Sequence, residues 1–258
     1  MEKEKIKRFY EKYHTNEIIN PIADFMQSER CNYLRYLTRS IQGKILIIGC
    51  GSQNDMGIVN EHCEGVGIDI STEAIKKSKE NYPRFKYFVA DATNLPFPDN
   101  SFDCVICSEV IEHVPEDEKV FMEVGRVLKN GHIFIITTPN WFSWYGFARK
   151  IAEKLFKRPF TSGDQPIDNW STPFNIYKKL KKYAFKIILF RGLWYYPPTG
   201  IGNKRISSRV IFPIVKLFYP LEIIFRKIFP WFGHMILFKT KLDKNKKDFN
   251  IRSKNNFT

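Results

Sequence analysis

The chain has 258 residues, of which 43% are hydrophobic and 16% aromatic. This content excludes a wholly disordered chain and suits one large α/β domain with an elaboration, or two small domains. The formal charge of +14 is uneven: residues 1–140 hold 17 basic and 21 acidic side chains, whereas residues 141–258 hold 24 and 6. The second half therefore predicts either an anionic partner (a membrane surface, a phosphorylated substrate or nucleic acid) or simply a solvated, lysine-rich face.

Cysteine content and the N-terminus both favour a reducing, cytoplasmic setting. The five cysteines are odd in number, and Cys104 and Cys107 form a Cys-x-x-Cys with no second pair at zinc-site spacing. We expect free thiols that serve as small apolar residues. The first five residues are charged and lack the apolar core of a signal peptide. The predicted location is the cytoplasm.

The first 140 residues alternate between helix-like and strand-like segments. Residues 1–42 predict an N-terminal helical cap of one or two helices. From residue 43 to 140, strands are predicted at 45–48, 65–68, 87–90, 103–107 and 132–138, and helices at 71–81 and 116–128, the last ended by Asn130 and Gly131. Such alternation is typical of a parallel sheet with right-handed crossovers.

The remainder, residues 141–241, is more aromatic and more basic. It predicts helices at 141–158 and from Thr172–Pro173 onward, strands at 185–190 and 232–240, and an apolar stretch at 209–229. Residues 242–258 are polar and predict a disordered tail. These assignments divide the chain into segments 1–42, 43–140, 141–241 and 242–258.

The stretch 209–229 resembles a membrane span only in its apolar content. It holds four charged residues and two prolines within about the length that a span needs, which makes spanning costly. A helix lying in the interface of an anionic membrane, with residues 205–231 in contact, is one interpretation. The alternative is a pair of helices that pack on the sheet or form a dimer.

Three of the apolar runs end on residues that suit a nucleoside. Gly49, Cys50 and Gly51 follow the first run, Asp69 ends the second and Asp91 ends the third. Glycines permit a sharp turn and close approach of a ligand, and a carboxylate at a strand tip can accept hydrogen bonds from ribose hydroxyls. A tight turn and a local cap are the structural alternatives. Both dinucleotides and S-adenosylmethionine fit this much.

The downstream sequence separates these two ligands. The third glycine of the dinucleotide fingerprint is replaced by Asn54. Residues 91–114 and 127–140 closely resemble class I S-adenosylmethionine-dependent methyltransferases, above all the ubiquinone and menaquinone biosynthesis branch. The resemblance implies an α/β Rossmann-like, doubly wound sheet of seven strands, mostly parallel, with the last strand antiparallel between its neighbours and a helical insertion before it.

The resemblance also implies a task for each residue around the cofactor, S-adenosylmethionine. In chain order, Gly49, Cys50 and Gly51 would line its methionine part, Asp69 would hold the ribose, Ile70 would pack on the adenine, Asp91 and Ala92 would lie at the adenine edge, and Ser108 and Glu109 would face the methyl donor. Two positions depart from the family pattern. Its usual acidic residue is Ile47 here, and its third loop glycine is Gln53.

Glu109, Glu112 and His113 allow three interpretations. Two carboxylates and an imidazole at a strand end can bind a divalent cation that positions substrate oxygens. His113, or Glu109, can instead act in acid–base catalysis on the acceptor. The third interpretation is structural, with His113 capping a loop and Glu112 bonded to backbone.

The acceptor is specified only by class. No Asn/Asp-Pro-Pro-aromatic tetrapeptide of nucleic-acid amino-methylating enzymes is present, so nucleic acid is the less favoured partner. The basic, aromatic half suits O- or C-methylation of a small-molecule or lipid-linked acceptor, by a protein peripheral to the inner membrane face. The alternatives are an RNA methyltransferase and a non-catalytic S-adenosylmethionine-binding module.

A water-excluding lid is predicted from eight aromatics: Trp141, Phe142, Trp144, Tyr145, Trp170, Trp194, Tyr195 and Tyr196.

Overall fold

The protein, known from a computed structural model, is organised around one mixed β-sheet. The structure describes residues 2–15, 21–51, 54–157, 165–195, 200–201, 204–205, 213, 217, 222 and 224–245. Within them the strands are β1 (Gly43–Ile48), β2 (Cys63–Asp69), β3 (Lys86–Val89), β4 (Phe102–Ser108), β5 (Leu128–Pro139), β6 (Phe185–Leu193), β7 (Gly200–Ile201), β8 (Lys204–Arg205) and β9 (Met235–Leu242).

Seven of these strands form the sheet, in the order β3-β2-β1-β4-β5-β9-β6. β1 to β5 pair in parallel, and β9 lies antiparallel between β5 and β6. The predicted fold class is therefore confirmed, including the insertion of the last strand between its neighbours. Because the order reverses beside β1, the carboxyl ends of β1, β2 and β4 border a crevice of the kind in which such sheets bind ligands.

Helices connect the strands and cover the sheet. They are α1 (Glu2–Thr15), α2 (Pro21–Thr38), α3 (Thr72–Asn81), α4 (Asp117–Val127), α5 (Trp144–Phe156) and α6 (Pro173–Lys182). Ser71, Ser143 and Thr172 accept the N-cap hydrogen bonds of α3, α5 and α6. These caps satisfy backbone N–H groups that a first helical turn leaves without partners, and they confirm the starts predicted for α3 and α6.

The junction between α4 and β5 differs from the sequence prediction. α4 ends at Val127 and β5 begins at once with Leu128, which pairs with Phe102. The register then shifts, so that the next pair is Ile133 with Cys104. Gly131, predicted to end the helix, lies in this irregular stretch with φ 78°. A glycine in a bulge and a glycine at a helix end can both adopt a positive φ. The sequence therefore did not distinguish the two, and the start of β5 was placed too late.

The central strands of the sheet are buried on both faces. Leu46 and Ile48 of β1 belong to one apolar core, whereas Ile45 and Ile47 point to the core on the opposite face. Strands covered on both faces read as continuous apolar runs, as these do in the sequence. Ile47, the departure from the family pattern, is thus a core side chain.

Several expectations lie outside the described residues. These include Gln53, Tyr196, residues 246–258 of the predicted tail, and most of the proposed membrane segment 205–231. Within that segment, residues 224–228 are helical. Among the helices that the structure describes, none is both long and apolar enough to cross a bilayer.

Candidate active site

A cavity of about 470 Å³ opens at the carboxyl ends of β1, β2 and β4, with α1 and α2 along its rim. It brings together residues that lie far apart in the sequence. Of the predicted site residues, its lining includes Gly49, Gly51, Asp69, Ile70, Asp91, Ala92, Ser108, Glu109, Glu112 and His113. Among the residues predicted to contact the cofactor, Cys50 is absent from the lining.

The glycine loop is shaped by its own backbone and by the tip of β2. Gly49 and Gly51 have φ of 68° and 59°, values that glycine adopts without strain. A Cβ on Gly49 would lie 2.2 Å from Val110 Cγ2, so this position has no room for a side chain. Cys50 between them turns its thiol into the core, where it contacts Ser78. Any contact between Cys50 and a ligand would therefore involve its backbone.

Asp69 holds this loop in place. Its carboxylate accepts hydrogen bonds from the backbone N–H groups of Gly51 (3.0 Å) and Ser71 (2.9 Å). Burial raises the pKa of Asp69 to about 6, although the two hydrogen bonds oppose that rise. Each carboxylate oxygen accepts one of these bonds and has a lone pair left for a ligand hydroxyl.

Asp91, at the end of β3, is engaged by α1. Lys3 Nζ donates to Asp91 Oδ2 at 2.7 Å and to Thr93 Oγ1 at 2.9 Å. Burial would raise the pKa of Asp91, but the hydrogen bonds from Lys3 and Thr93 outweigh it and leave the pKa lowered. At its other end, α1 places the Glu11 carboxylate on the N-terminus of α3, where it accepts from the backbone of Thr72 at 2.8 Å. α1 is thus anchored to the end of β3 and to the start of α3, along the rim of the cavity.

Two buried charged residues of the cavity were missed from the sequence. Arg30 of α2 donates to Asp55 Oδ1 at 2.6 Å and to Ser108 Oγ at 2.8 Å. Burial raises the pKa of Asp55, and the Arg30 guanidinium opposes that rise. Nothing in the local pattern singles out Arg30, which is one of several arginines in a helical segment. Asp55 is eight residues from Ile47, so its place beside Arg30 in the cavity is visible only in three dimensions.

Glu109 follows β4 in an unusual backbone conformation. Its φ of 55° lies in the left-handed region, which is costly for a residue with a Cβ. Its carboxyl accepts from Thr137 Oγ1 at 3.0 Å, and Thr137 Oγ1 also lies 2.8 Å from Ser108 Oγ. Burial and the neighbouring Glu112 raise the pKa of Glu109 to about 8. Strained residues concentrate at functional sites, because the surrounding structure must hold them there.

Glu112 and His113 are neighbouring titratable residues of the cavity lining. Glu112 is almost completely buried, accepts from Thr138 Oγ1 at 3.2 Å, and has a pKa raised to about 8 by burial and by Asp168. His113 Nδ1 lies 2.9 Å from the carbonyl oxygen of Ile167. A carbonyl only accepts, so Nδ1 carries the proton. Burial lowers the pKa of His113, and its Nε2 is left as an acceptor 3.6 Å from Glu112 Oε1.

The metal interpretation gains no support from geometry. Among the described residues, no group of three or more His, Cys, Asp or Glu side chains converges as metal ligands would. Instead, the Tyr10 ring of α1 lies 5.8 Å from that of His113, with a buried hydroxyl that has no partner within the described part of the chain. The imidazole and the phenol together present two polar atoms to the same part of the cavity.

Aromatic side chains form part of the cavity wall, which we name the aromatic wall. Trp170, Trp194 and His234 line the cavity. The Trp170 indole N–H donates to Asp168 Oδ1 at 2.8 Å, and Arg149 donates to Asp168 Oδ2 at 2.7 Å. Of the predicted lid, Trp141 packs on Trp170 and Tyr145 on His234, whereas Tyr195 is buried, and Phe142 and Trp144 are exposed on the outside.

The arrangement of glycine loop, strand-tip carboxylate and seven-stranded sheet agrees with comparisons with known proteins. Residues 46–136 match the family model described as a methyltransferase domain. This segment is a class I S-adenosylmethionine-dependent methyltransferase domain. The family comprises enzymes, and S-adenosylmethionine is their cofactor. The residues that line the cavity fit that cofactor, since Gly49 and Gly51 turn the loop sharply at the cavity and Asp69 retains free lone pairs.

Individual relatives match parts of the chain. A probable S-adenosylmethionine-dependent methyltransferase of Mycolicibacterium smegmatis is 30% identical over 42% of this chain and 42% of its own length. A ubiquinone biosynthesis O-methyltransferase of Vibrio atlanticus is 28% identical over 70% of this chain and 76% of its own. The chain thus spans less than half the length of the mycobacterial relative.

Solved structures agree with the methyltransferase domain in fold. A geranyl diphosphate C-methyltransferase of Streptomyces coelicolor, solved with Mg²⁺, geranyl diphosphate and S-adenosyl-L-homocysteine, has a TM-score of 0.60. It is 12% identical, and the alignment covers 93% of this chain and 98% of that one. At this identity the likeness concerns the fold alone.

Proposed function

We propose that this protein transfers a methyl group from S-adenosylmethionine to an oxygen or carbon atom of a small-molecule acceptor, lipid-linked acceptors included. One observation carries the proposal: a single cavity joins the glycine loop and Asp69 to the pair Glu112–His113 and the aromatic wall. The cofactor and acceptor ends of a reaction would therefore meet without a barrier between them. When bound, the cofactor supplies an electrophilic methyl carbon on sulfur.

The cofactor end has a residue for each polar part of that ligand. Asp69 would accept from the ribose hydroxyls, and Asp91 would face the adenine after release from Lys3. Arg30 and Asp55 would hold the carboxylate and the amino group of the methionyl end. The methionyl group is a zwitterion, so a buried cation beside a buried anion forms a binding site of complementary charge. This pair would replace the acid that the family usually has in the place of Ile47.

The acceptor end is suited to a proton transfer. His113 Nε2 would remove the proton of an acceptor hydroxyl, because Nδ1 is occupied by the Ile167 carbonyl and the lowered pKa keeps the ring neutral. Glu112 and Glu109, with their raised pKa values, would limit the negative charge around that base. Trp170 and Trp194 would exclude water and hold the acceptor's apolar body.

Carboxylates outnumber cations in the cavity lining, which disfavours an RNA acceptor.

The test is to incubate the protein and methyl-labelled cofactor with separate lipid, small-molecule, RNA and protein extracts. We expect label in the lipid or small-molecule fraction, and much less label with the Asp69→Asn variant when the cofactor concentration is limiting. Label in RNA would support the alternative acceptor class. Tight cofactor binding without transfer to any fraction would support a non-catalytic module and contradict the proposal.

A further inference from the structure

The outer side of α5 carries large apolar side chains in one stripe. Trp144, Phe147, Ile151 and Leu155 recur at helical spacing and are 55%, 47%, 60% and 71% exposed. Residues three and four positions apart share a helix face, so these four side chains adjoin one another. The opposite side of the helix packs inward, through Ala152 among others. α5 therefore has a buried apolar side and a second apolar side that faces outward.

A second segment extends this stripe. The Phe232 ring lies 5.3 Å from that of Trp144 and 6.1 Å from that of Phe147. Apolar residues in the segment 224–231, which precedes Phe232, are also exposed. Phe142 and Phe174, whose rings contact each other, are exposed as well. We name the whole set the apolar face: Phe142, Trp144, Phe147, Ile151, Leu155, Phe174, Ile224, Phe225, Ile228, Phe229 and Trp231. Large exposed apolar patches mark interaction surfaces.

Cations border the apolar face. Lys150, Lys154 and Lys157 are exposed along one flank of the α5 stripe, at the spacing that places them beside Phe147 and Ile151. Next to the segment 224–231, a smaller cavity of about 250 Å³ is lined by Phe190, Arg191, Lys227 and Pro230, and by Arg226, which pairs with the buried Glu222 at 2.6 Å. A helix with bulky apolar residues on one side and lysines beside them is typical of binding in the interface of an anionic bilayer.

The apolar face and the aromatic wall of the cavity are connected by direct contacts. Tyr145, on α5, stacks on His234 with ring centroids 4.1 Å apart, and His234 lines the cavity. The Asn140 side-chain amide, at the end of β5, donates to the carbonyl oxygens of Trp231 and Gly233. One helix thus separates the exposed face from the acceptor end of the cavity.

We propose that the apolar face docks on the surface of an anionic lipid bilayer and that the acceptor reaches the cavity from that bilayer. The occupant is inferred from charge complementarity, since the flanks are cationic. A second copy of the chain is the poorer match, because a twofold dimer through this face would bring like charges together. The bilayer as source of the acceptor rests on the proposed function, whereas docking itself does not.

The test measures flotation with phosphatidylcholine vesicles that contain about 30% phosphatidylglycerol, and with vesicles of phosphatidylcholine alone. We expect the wild-type protein to float with the anionic vesicles. Ile151→Asp and Leu155→Asp, at exposed positions, should each weaken binding about tenfold or more, because each places a charge at the interface. Lys150→Glu combined with Lys154→Glu should weaken it by a similar factor. Circular dichroism verifies that each variant is folded.

Ile188→Asp is the matched control, since Ile188 is 54% exposed on β6 and lies outside the apolar face. It should float like the wild type. Failure of the wild-type protein to float, equal loss in the control, or a dimer in sedimentation that Ile151→Asp dissociates without any flotation would each overturn the proposal. Flotation requires neither cofactor nor turnover, so its result is separate from that of the methyl-transfer test.

Discussion

The carboxylate of Asp69 accepts a hydrogen bond from the backbone N–H of Gly51 at 3.0 Å, and this contact ties the tip of β2 to the loop that follows β1. The same side chain therefore shapes the glycine loop and faces the cavity. A change at this residue therefore affects both the loop and the cavity.

Replacing Asp69 by Asn should reduce the affinity for S-adenosylmethionine about a hundredfold. The variant loses the charge that strengthens hydrogen bonds from two ribose hydroxyls, and its amide NH₂ would face a backbone N–H. Isothermal titration measures the effect. Asp243→Asn, at an exposed position beyond β9, is the matched control and should bind like the wild type. Equal affinity in both variants would refute the ribose assignment.

The double variant Arg30→Met with Asp55→Asn should lose affinity for S-adenosylmethionine by about tenfold to a hundredfold, the value of one or two charge-assisted hydrogen bonds. Both residues are changed together because either alone would leave a buried charge without its partner. Methylthioadenosine lacks the amino and carboxylate groups, so its affinity should stay within about twofold of wild type. Parallel titrations with both ligands distinguish the role of Arg30 and Asp55 from that of Asp69, because the Asp69 variant should lose affinity for both ligands. Equal losses for the two ligands would contradict the assignment.

The stability of the protein without cofactor should fall as the pH rises from 6 to 9, and Glu112→Gln should reduce that fall. The pKa of Glu112 is raised in the folded state from 4.5 to about 8, mainly by burial. Folding therefore favours the protonated form, and its contribution is complete below pH 4.5 and lost as the pH rises through 8. The measurement is the free energy of unfolding in urea at each pH.

Glu118→Gln is the comparison for that series. A hydrogen bond from Lys182 lowers the pKa of Glu118, so its contribution is lost on acidification below pH 4.5 rather than between 6 and 9. Between pH 6 and 9, the free energy of unfolding of Glu118→Gln should change with pH as that of the wild type does. A Glu112→Gln curve with the wild-type slope would show that Glu112 is already ionised at neutral pH.

Glu109→Gly should be more stable than Glu109→Ala by about 1 kcal/mol, because alanine is strained at a φ of 55° and glycine is not. Both changes remove the same carboxyl, so their difference isolates the backbone term. The control pair is Glu64→Gly and Glu64→Ala on β2, where glycine should instead be the less stable by about 0.5–1 kcal/mol. The same sign at both positions would rule out backbone strain at Glu109.

Much of the fold and half of the site were predictable because they depend on local sequence. An apolar run that ends in Asp69 predicts a buried strand with a carboxylate at its tip. Gly49 and Gly51 predict a turn that only glycines form without strain. The start of β5 was misplaced, because Gly131 serves a bulge as readily as a helix end.

The sequence by itself determined the order of strands and helices and the residues at the strand tips, since neighbours in the chain decide these, and its resemblance to a known family implied the cofactor class. Only the tertiary structure decided which distant partners meet. It pairs Arg30 with Asp55, places Lys3 on Asp91, turns Cys50 away from the cavity and, through Ile167, assigns the proton of His113. The physical reason is that burial and hydrogen bonding act through space, so a side chain's charge state depends on contacts that no local pattern encodes.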